Sequence, residues 1–388
     1  MSNRYLRRLT GARAVLAPLL LAALLPAGCG ETREAGAPSA QQVEAALDEA
    51  VDAGAPGIAV SIRRAEGGEF LTSGVASIES KQPIRADTRF RIASVTKSFT
   101  ATIVMQLVAE RKLSLDDTVQ DLAPDLLAAG GKITVRELLG HTSGLPDYVK
   151  SDAFVKRASA GKSVTPQQAL KFVARQELEF EPGSKYAYSD SDNIALGLII
   201  EEATGSSYEQ QLRSRLLEPL RLDQTSLATS LRFPKPHAEG YQYSEGGVGE
   251  PENVTDIPLD PNGAWASGAL ISTPEEVSRF FGALLGGDLV PAEQLREMKV
   301  TVPGAGSPPG PGKNNAGLGI FGWTISCGEI WGHTGSWPGF RTLGAASADG
   351  DQAVAMVVNA TETSDKANQA ILRAQELAAC HALGKPAD

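Results

Sequence analysis

The chain has 388 residues, 36 Lys and Arg against 46 Asp and Glu, a formal net charge of −10, and four histidines. That acidic balance argues against nucleic acid as a partner. His141, His237, His333 and His381 have no neighbours at metal-ligand spacing, so no metal is expected.

In chain order, Arg4, Arg7, Arg8 and Arg13 precede an apolar run from Ala14 to Leu25, which ends at Pro26-Ala27-Gly28-Cys29. Residues 1–29 therefore read as an export signal that is too short for a membrane span. The small residues before Cys29 resemble a lipoprotein cleavage box, so lipidation of Cys29 is expected, with the membrane reached only through that N-terminal lipid. Cleavage there removes four arginines and leaves 32 basic against 46 acidic residues, a charge of −14. The body is expected to be extracytoplasmic, either lipid-anchored or secreted. Cys327 and Cys380 then remain as an even pair in an oxidising compartment, and a disulfide between them is the simplest expectation.

Residues 30–38 read as a tether. A helix is predicted over 39–53, with Ser39 as cap and Val43, Ala46, Leu47 and Ala50 on one face. Alternation on either side of Glu66-Gly67-Gly68 predicts one hairpin, and the same pattern around Asp349-Gly350 predicts a second, followed by a C-terminal helix. Strands at both ends of the chain suggest one mixed sheet domain built from 39–115 and 260–388, with a mostly helical domain over 116–259. Residues 232–263 and 303–312 are rich in Pro and Gly and read as irregular, the second as a surface loop.

The stretch "RFRIASVTKSFTATIVMQLVAE" places Ser94 at the start of an apolar helix, with Lys97 one turn later on the same face. The N–H groups of a helix's first turn lack intrahelical acceptors, so the Ser94 N–H is available to a developing oxyanion. Lys97 can take the serine proton only if its surroundings bring its pKa down. Ser-x-x-Lys alone is a weak signal, since a capping Ser with a solvated Lys looks the same. Flanking Val95, Phe99, Ile103 and Val104 count against a solvated Lys97.

Three segments in order resemble the penicillin-recognising serine hydrolases, in the branch of serine DD-carboxypeptidases and class C-type β-lactamases with related esterases. They are "SVTK" at 94–97, the Tyr motif near 188, and "HTG" at 333–335. "ITVRELLGHTSGLPDY", "EPGSKYAYSDSDNIALGLIIEEATG" and "WASGALISTPEEVSRFFGALL" extend the resemblance over about 40–382. It implies an α/β (α+β) fold of the beta-lactamase/transpeptidase type, an antiparallel sheet flanked by helices with a mostly helical insertion. It also implies acyl transfer by Ser94 with Lys97, Tyr188 and His333 as catalytic residues. The N–H groups of Ser94 and Ser336 would form the oxyanion hole, and Thr334 and Gly335 would line the substrate. His333 would set a potentially cationic side chain beside the substrate, and Gly335 would admit the substrate backbone. "SCG" at 326–328, with Cys380 in the last helix, also resembles the secreted DD-carboxypeptidases and supports the disulfide. No cofactor is implied, and the expected protein is a monomer acting on a cell-wall D-alanyl-D-alanine peptide. An esterase or β-lactamase is the alternative, and a non-catalytic binding protein a third.

Two departures bear on substrate. The secreted DD-carboxypeptidases carry an arginine ahead of "SCG", where "GLGIFGWTISCG" offers Phe321, and Arg341 is the candidate replacement. In "KYAYSDSDN" the motif could be Tyr188-Ser189-Asp190 or Ser191-Asp192-Asn193. The nine-residue step from Tyr188 to Gly197 favours the first. Asp190 then stands where the branch has asparagine; an ionised aspartate only accepts hydrogen bonds, and it could hold Lys97 in its charged form.

Overall fold

The computed structural model describes residues 36–244, 246–257, 259–302 and 309–387. The expected export signal, Cys29 and most of the tether lie outside them, as do residues 303–308 of the Gly/Pro-rich stretch.

Helix α1 (Ala40–Asp52) opens on a reciprocal capping box between Ser39 and Gln42 and buries Val43, Ala46, Leu47 and Ala50, as its periodicity predicts. Strands β1 (Gly57–Arg64) and β2 (Gly67–Gly74) form the first hairpin. A 3-10 turn, Ala93–Val95, runs into α2 (Thr96–Ala109), which is apolar nearly all round and almost wholly buried. Helix α3 (Asp190–Thr204), the short α4 (Trp265–Gly268) and α5 (Pro274–Leu285) follow. The chain closes through β3 (Lys313–Ala316), β4 (Phe321–Ile325), β5 (Gly328–Trp337), β6 (Phe340–Ala346), β7 (Ala353–Val358) and α6 (Asp365–Leu383).

The main sheet has the order β2-β1-β7-β6-β5-β4-β3, and every neighbouring pair is antiparallel. Strand β7 joins the two ends of the chain, with Ile58 facing Val358, and its sequence AVAMVV is buried on both faces. Helices α1 and α6 pack together over one face. Helix α5 covers the other, backed by a core that draws Ile103, Leu139, Ile199 and Phe280 from both sides of the expected 115/116 and 259/260 boundaries. Residues from Ala35 onward make one compact unit.

Strand β5 changes partners along its length, pairing with β4 over Gly328–Gly332 and with β6 over Trp331–Trp337. The segment from His333 to Trp337 therefore keeps one edge outside the sheet ladder, and the candidate site lies along that edge. Beside it, Cys327 of the β4–β5 turn is bonded to Cys380 of α6, with a Cα–Cα distance of 5.6 Å. Among the described residues, no helix is long and apolar enough to cross a membrane.

Candidate active site

Ser94 is presented by a turn under backbone constraint. Ala93 has φ of 49°, which is uncommon for a residue with a side chain. The turn is held from both sides: Thr96 Oγ1 donates to the Ala93 carbonyl at 2.6 Å and accepts the Leu270 N–H at 3.1 Å. Strand β5 closes on it so tightly that a Cβ at Gly335 would lie 2.2 Å from the Ile92 carbonyl oxygen. Gly335 also borders a cavity beside Ser94, but the Ser94 turn is what requires a glycine there.

Lys97 is fully buried and has three acceptors: Asp190 Oδ1 at 2.5 Å, the Ser267 carbonyl at 2.7 Å and Ser94 Oγ at 3.3 Å. Three donated hydrogen bonds are what an ammonium, not an amine, can make. Burial pushes the Lys97 pKa down, but the Asp190 carboxylate more than reverses this, so the ammonium titrates above the ordinary lysine range. Asp190 therefore faces the lysine as well as the cleft. Its N–H donates to Asp147 Oδ1, whose carboxyl is pushed up to about 6 by burial and by Asp190.

The centroid of the Tyr188 ring sits 4.9 Å from Lys97 Nζ and 4.4 Å from the centroid of the His141 ring. Its hydroxyl is within electrostatic reach of Ser94 and Lys97 but makes no hydrogen bond of regular geometry among the described residues. Burial raises the phenol above its ordinary range despite the neighbouring ammonium. His333 is fully buried, with the Phe321 ring edge-on at 4.9 Å. Burial, with the charge of Lys97, lowers it to about 3, so it is neutral at pH 7 instead of cationic. Its Nδ1–H donates to the Thr334 carbonyl at 2.5 Å, and Nε2 is a buried acceptor without a partner among the described residues.

Two cavities flank Ser94. The smaller, about 250 Å³, is walled by Tyr148, Val149, Phe154, Leu259 and Trp337 and bordered by Asp190, which is paired with Lys97, and by Asp260, whose carboxylate accepts from Ser163 Oγ and the Asn262 N–H. The larger, about 430 Å³, lies between β5 and α6 and is bordered by Tyr188, Thr334, Gly335, Arg341, Thr342 and Gln375. Ser94 and Ser336, the expected oxyanion donors, are the two residues that border both. Arg341 is the cationic residue on either wall, but its guanidinium is already engaged by the Ala360 carbonyl, Thr363 Oγ1 and Asn368 Oδ1. Burial lowers its pKa to about 10, which leaves it charged. Phe321, at the position of the absent arginine, is buried against His333 and offers a ligand nothing polar.

The other register of the Tyr188 segment, Ser191-Asp192-Asn193, turns away from the cleft. Ser191 Oγ donates to the Pro146 carbonyl, and Asp192 binds His141 and Ser143. Sequence reasoning missed His141, Asp147, Asp260 and the Ser267 carbonyl as site groups, and named Asp192 only within the register it set aside. His141 and Asp147 lay inside a phrase carrying the resemblance, whereas a carbonyl contact leaves no mark in sequence. Among the described residues, no cluster suited to a metal is present.

Residues 40–378 match the Beta-lactamase family. Penicillin-binding protein 4* of Bacillus subtilis (strain 168) is 30% identical over 335 residues, 81% of this chain and 71% of that protein. A D-stereospecific amidohydrolase from Streptomyces sp. shares the fold with a TM-score of 0.77 at 32% identity, covering 87% of this chain and 98% of that one. D-amino acid amidase from Ochrobactrum anthropi SV3, solved with D-phenylalanine, gives a TM-score of 0.77 at 29% identity, covering 86% and 97%. Because the family match takes in the Ser94 turn, Tyr188 and strand β5 alike, the chain belongs to the beta-lactamase family and is a serine hydrolase of that superfamily.

Proposed function

We propose that the chain hydrolyses an amide or ester through an acyl-enzyme on Ser94, and that the acyl half is a D-configured amino acid with a free ammonium group. The observation that carries this reading is the smaller cavity, in which Asp190 and Asp260 stand among aromatic and aliphatic walls beside the nucleophile. Such walls suit an apolar side chain, and the carboxylates suit an ammonium. Support for the D configuration comes from the neighbours described as a D-stereospecific amidohydrolase and a D-amino acid amidase.

Ser94 Oγ attacks the carbonyl, its proton passes to the fraction of the Lys97–Tyr188 pair that has already lost one proton, and the oxyanion is held by the N–H groups of Ser94 and Ser336. Tyr188 borders the larger cavity, so it is placed to return that proton to the departing amine or alcohol. Water then releases the acyl group. Since Lys97 and Tyr188 both hold their protons above their ordinary ranges, the pair gains basicity as pH rises. Turnover should therefore climb through the alkaline range.

A D-alanyl-D-alanine carboxypeptidase is the second reading, favoured by Arg341 on the leaving-group cavity and by the penicillin-binding relative. Export, lipid attachment at Cys29 and a monomeric state belong to the same reading. The deciding experiment incubates the protein and its Ser94→Ala variant with D-phenylalaninamide, its N-acetyl derivative, a D-Ala-D-Ala peptide, an aryl ester and a chromogenic cephalosporin. Preference for the free-amino amide supports the proposal. Equal or better cleavage of the N-acetyl compound, or turnover that survives in Ser94→Ala, overturns it.

A further inference from the structure

The segment Ser191-Asp192-Asn193 has no part in the mechanism above, yet Asp192 lies at the centre of a buried polar cluster behind it. Asp192 is fully buried; its Oδ1 accepts from Ser143 Oγ at 2.5 Å and its Oδ2 lies 2.9 Å from His141 Nδ1. The Ser189 N–H approaches the same Nδ1 at 3.4 Å, which leaves Nδ1 as an acceptor and places the shared proton on Asp192. Burial favours that state, since it raises Asp192 well above the carboxylate range and lowers His141 to about 3. The pair is uncharged beside the Lys97 ammonium.

His141 grips the Tyr188 segment at three points. Its carbonyl accepts the Ala187 N–H at 2.9 Å, its Nδ1 meets the Ser189 N–H, and its ring lies against Tyr188. His141 itself has φ of 53°, a conformation that a bulky residue holds only when its surroundings over-determine it. Asp192 and Ser143 are the groups that fix its ring, and Ser143 Oγ is fixed in turn by the Leu145 N–H at 3.0 Å.

We propose that Ser143, Asp192 and His141 form a buried positioning relay that holds the Tyr188 phenol beside Lys97 for proton transfer. Asp192 and His141 are positioning residues, acting through Tyr188. The inference rests on the reading of Tyr188 as a proton carrier, which Tyr188→Phe tests separately. If that variant is acylated by a penicillin-type probe as fast as the parent protein, the reading of Tyr188 fails whatever Asp192 does.

The relay is tested with Asp192→Ala and Asp192→Asn, the second retaining a hydrogen bond to the imidazole. In Asp192→Ala the acylation rate constant should fall at least tenfold while the probe's Kd changes less than threefold. Asp192→Asn should recover to within threefold of the parent. Ultraviolet titration, with Tyr188→Phe as the subtracted reference, should show the Tyr188 phenol shifted in Asp192→Ala and restored in Asp192→Asn. Should Asp192→Ala fail to fold, Ser143→Ala removes one hydrogen bond from the relay and should lower acylation threefold to tenfold. A folded Asp192→Ala that acylates at the parent rate, an Asp192→Asn as impaired as Asp192→Ala, or an unchanged Ser143→Ala would overturn the proposal.

Discussion

Asp190 is the side chain on which the base strength of the site turns. Replacing it with asparagine removes the carboxylate that holds Lys97 as an ammonium, and it returns a donor for a substrate carbonyl. Asp190→Asn should raise turnover of amide substrates and move the alkaline limb of the pH–rate profile down by at least one unit; unchanged or slower turnover would count against this. The same change costs about 3 kcal/mol at pH 7, the low end for a broken buried pair, because the Asp190 side chain is itself 23% exposed. The folded pKa of Lys97 is raised, so the pair's contribution is present below the ordinary lysine value and disappears as pH rises through the folded one. Denaturant midpoints of parent and variant should therefore converge in strong alkali. His333 works in the opposite sense. Its folded pKa is lowered from 6.5 to about 3, so its neutral form adds stability above 6.5 that is lost as pH falls across that window. Relative to His333→Asn, the parent should lose about 1.4 kcal/mol per pH unit there, measured by urea unfolding at stepped pH.

At the scale of elements, the nucleophile turn and β5 fit together as one rigid joint. A methyl at Gly335 collides with the Ile92 carbonyl and forces the Ser94 turn outward. Gly335→Ala should cost about 1–3 kcal/mol in stability and lower probe acylation more than that loss explains; a variant that acylates normally would show that the joint has slack. The elements themselves were largely legible. Helix α1 announced its cap and its buried face, and both hairpins announced their turns, because these depend on neighbours within a few residues. The step from Tyr188 to Gly197 has a packing cause instead, since a Cβ at Gly197 would lie 2.5 Å from the Trp265 ring, a contact with a distant segment. What sequence could not show was contact between distant segments. The third acceptor of Lys97 is a backbone carbonyl 170 positions away, and the His141–Asp192 contact spans 51. The neutrality of His333 depends on burial under Phe321 and on the Lys97 charge, neither of which is written near residue 333. The expected boundaries at 115/116 and 259/260 rested on the order of predicted strands and helices, and one buried core draws residues from both sides of each.

Across the whole molecule, α6 links the disulfide to the larger cavity. Cys380 ties this helix to the β4–β5 turn, and the same helix brings Asn368, Ile371, Leu372 and Gln375 to the cavity wall. With the cysteines 53 positions apart, replacing both with serine should lower stability by about 4 kcal/mol, read from the guanidinium midpoint. A midpoint within error of the parent would show that packing of α6 on α1 suffices. The junction at Ser94 and Ser336 has a kinetic counterpart. If the two halves of a substrate occupy the two cavities, as the proposed function requires, the first product can diffuse out while the second stays esterified on Ser94. The vacated chamber then admits whichever nucleophile arrives first, so the steady-state rate law is a ping-pong one. Added amines should divert the acyl group in proportion to their concentration, turning a hydrolase into an acyltransferase that exchanges one amine for another.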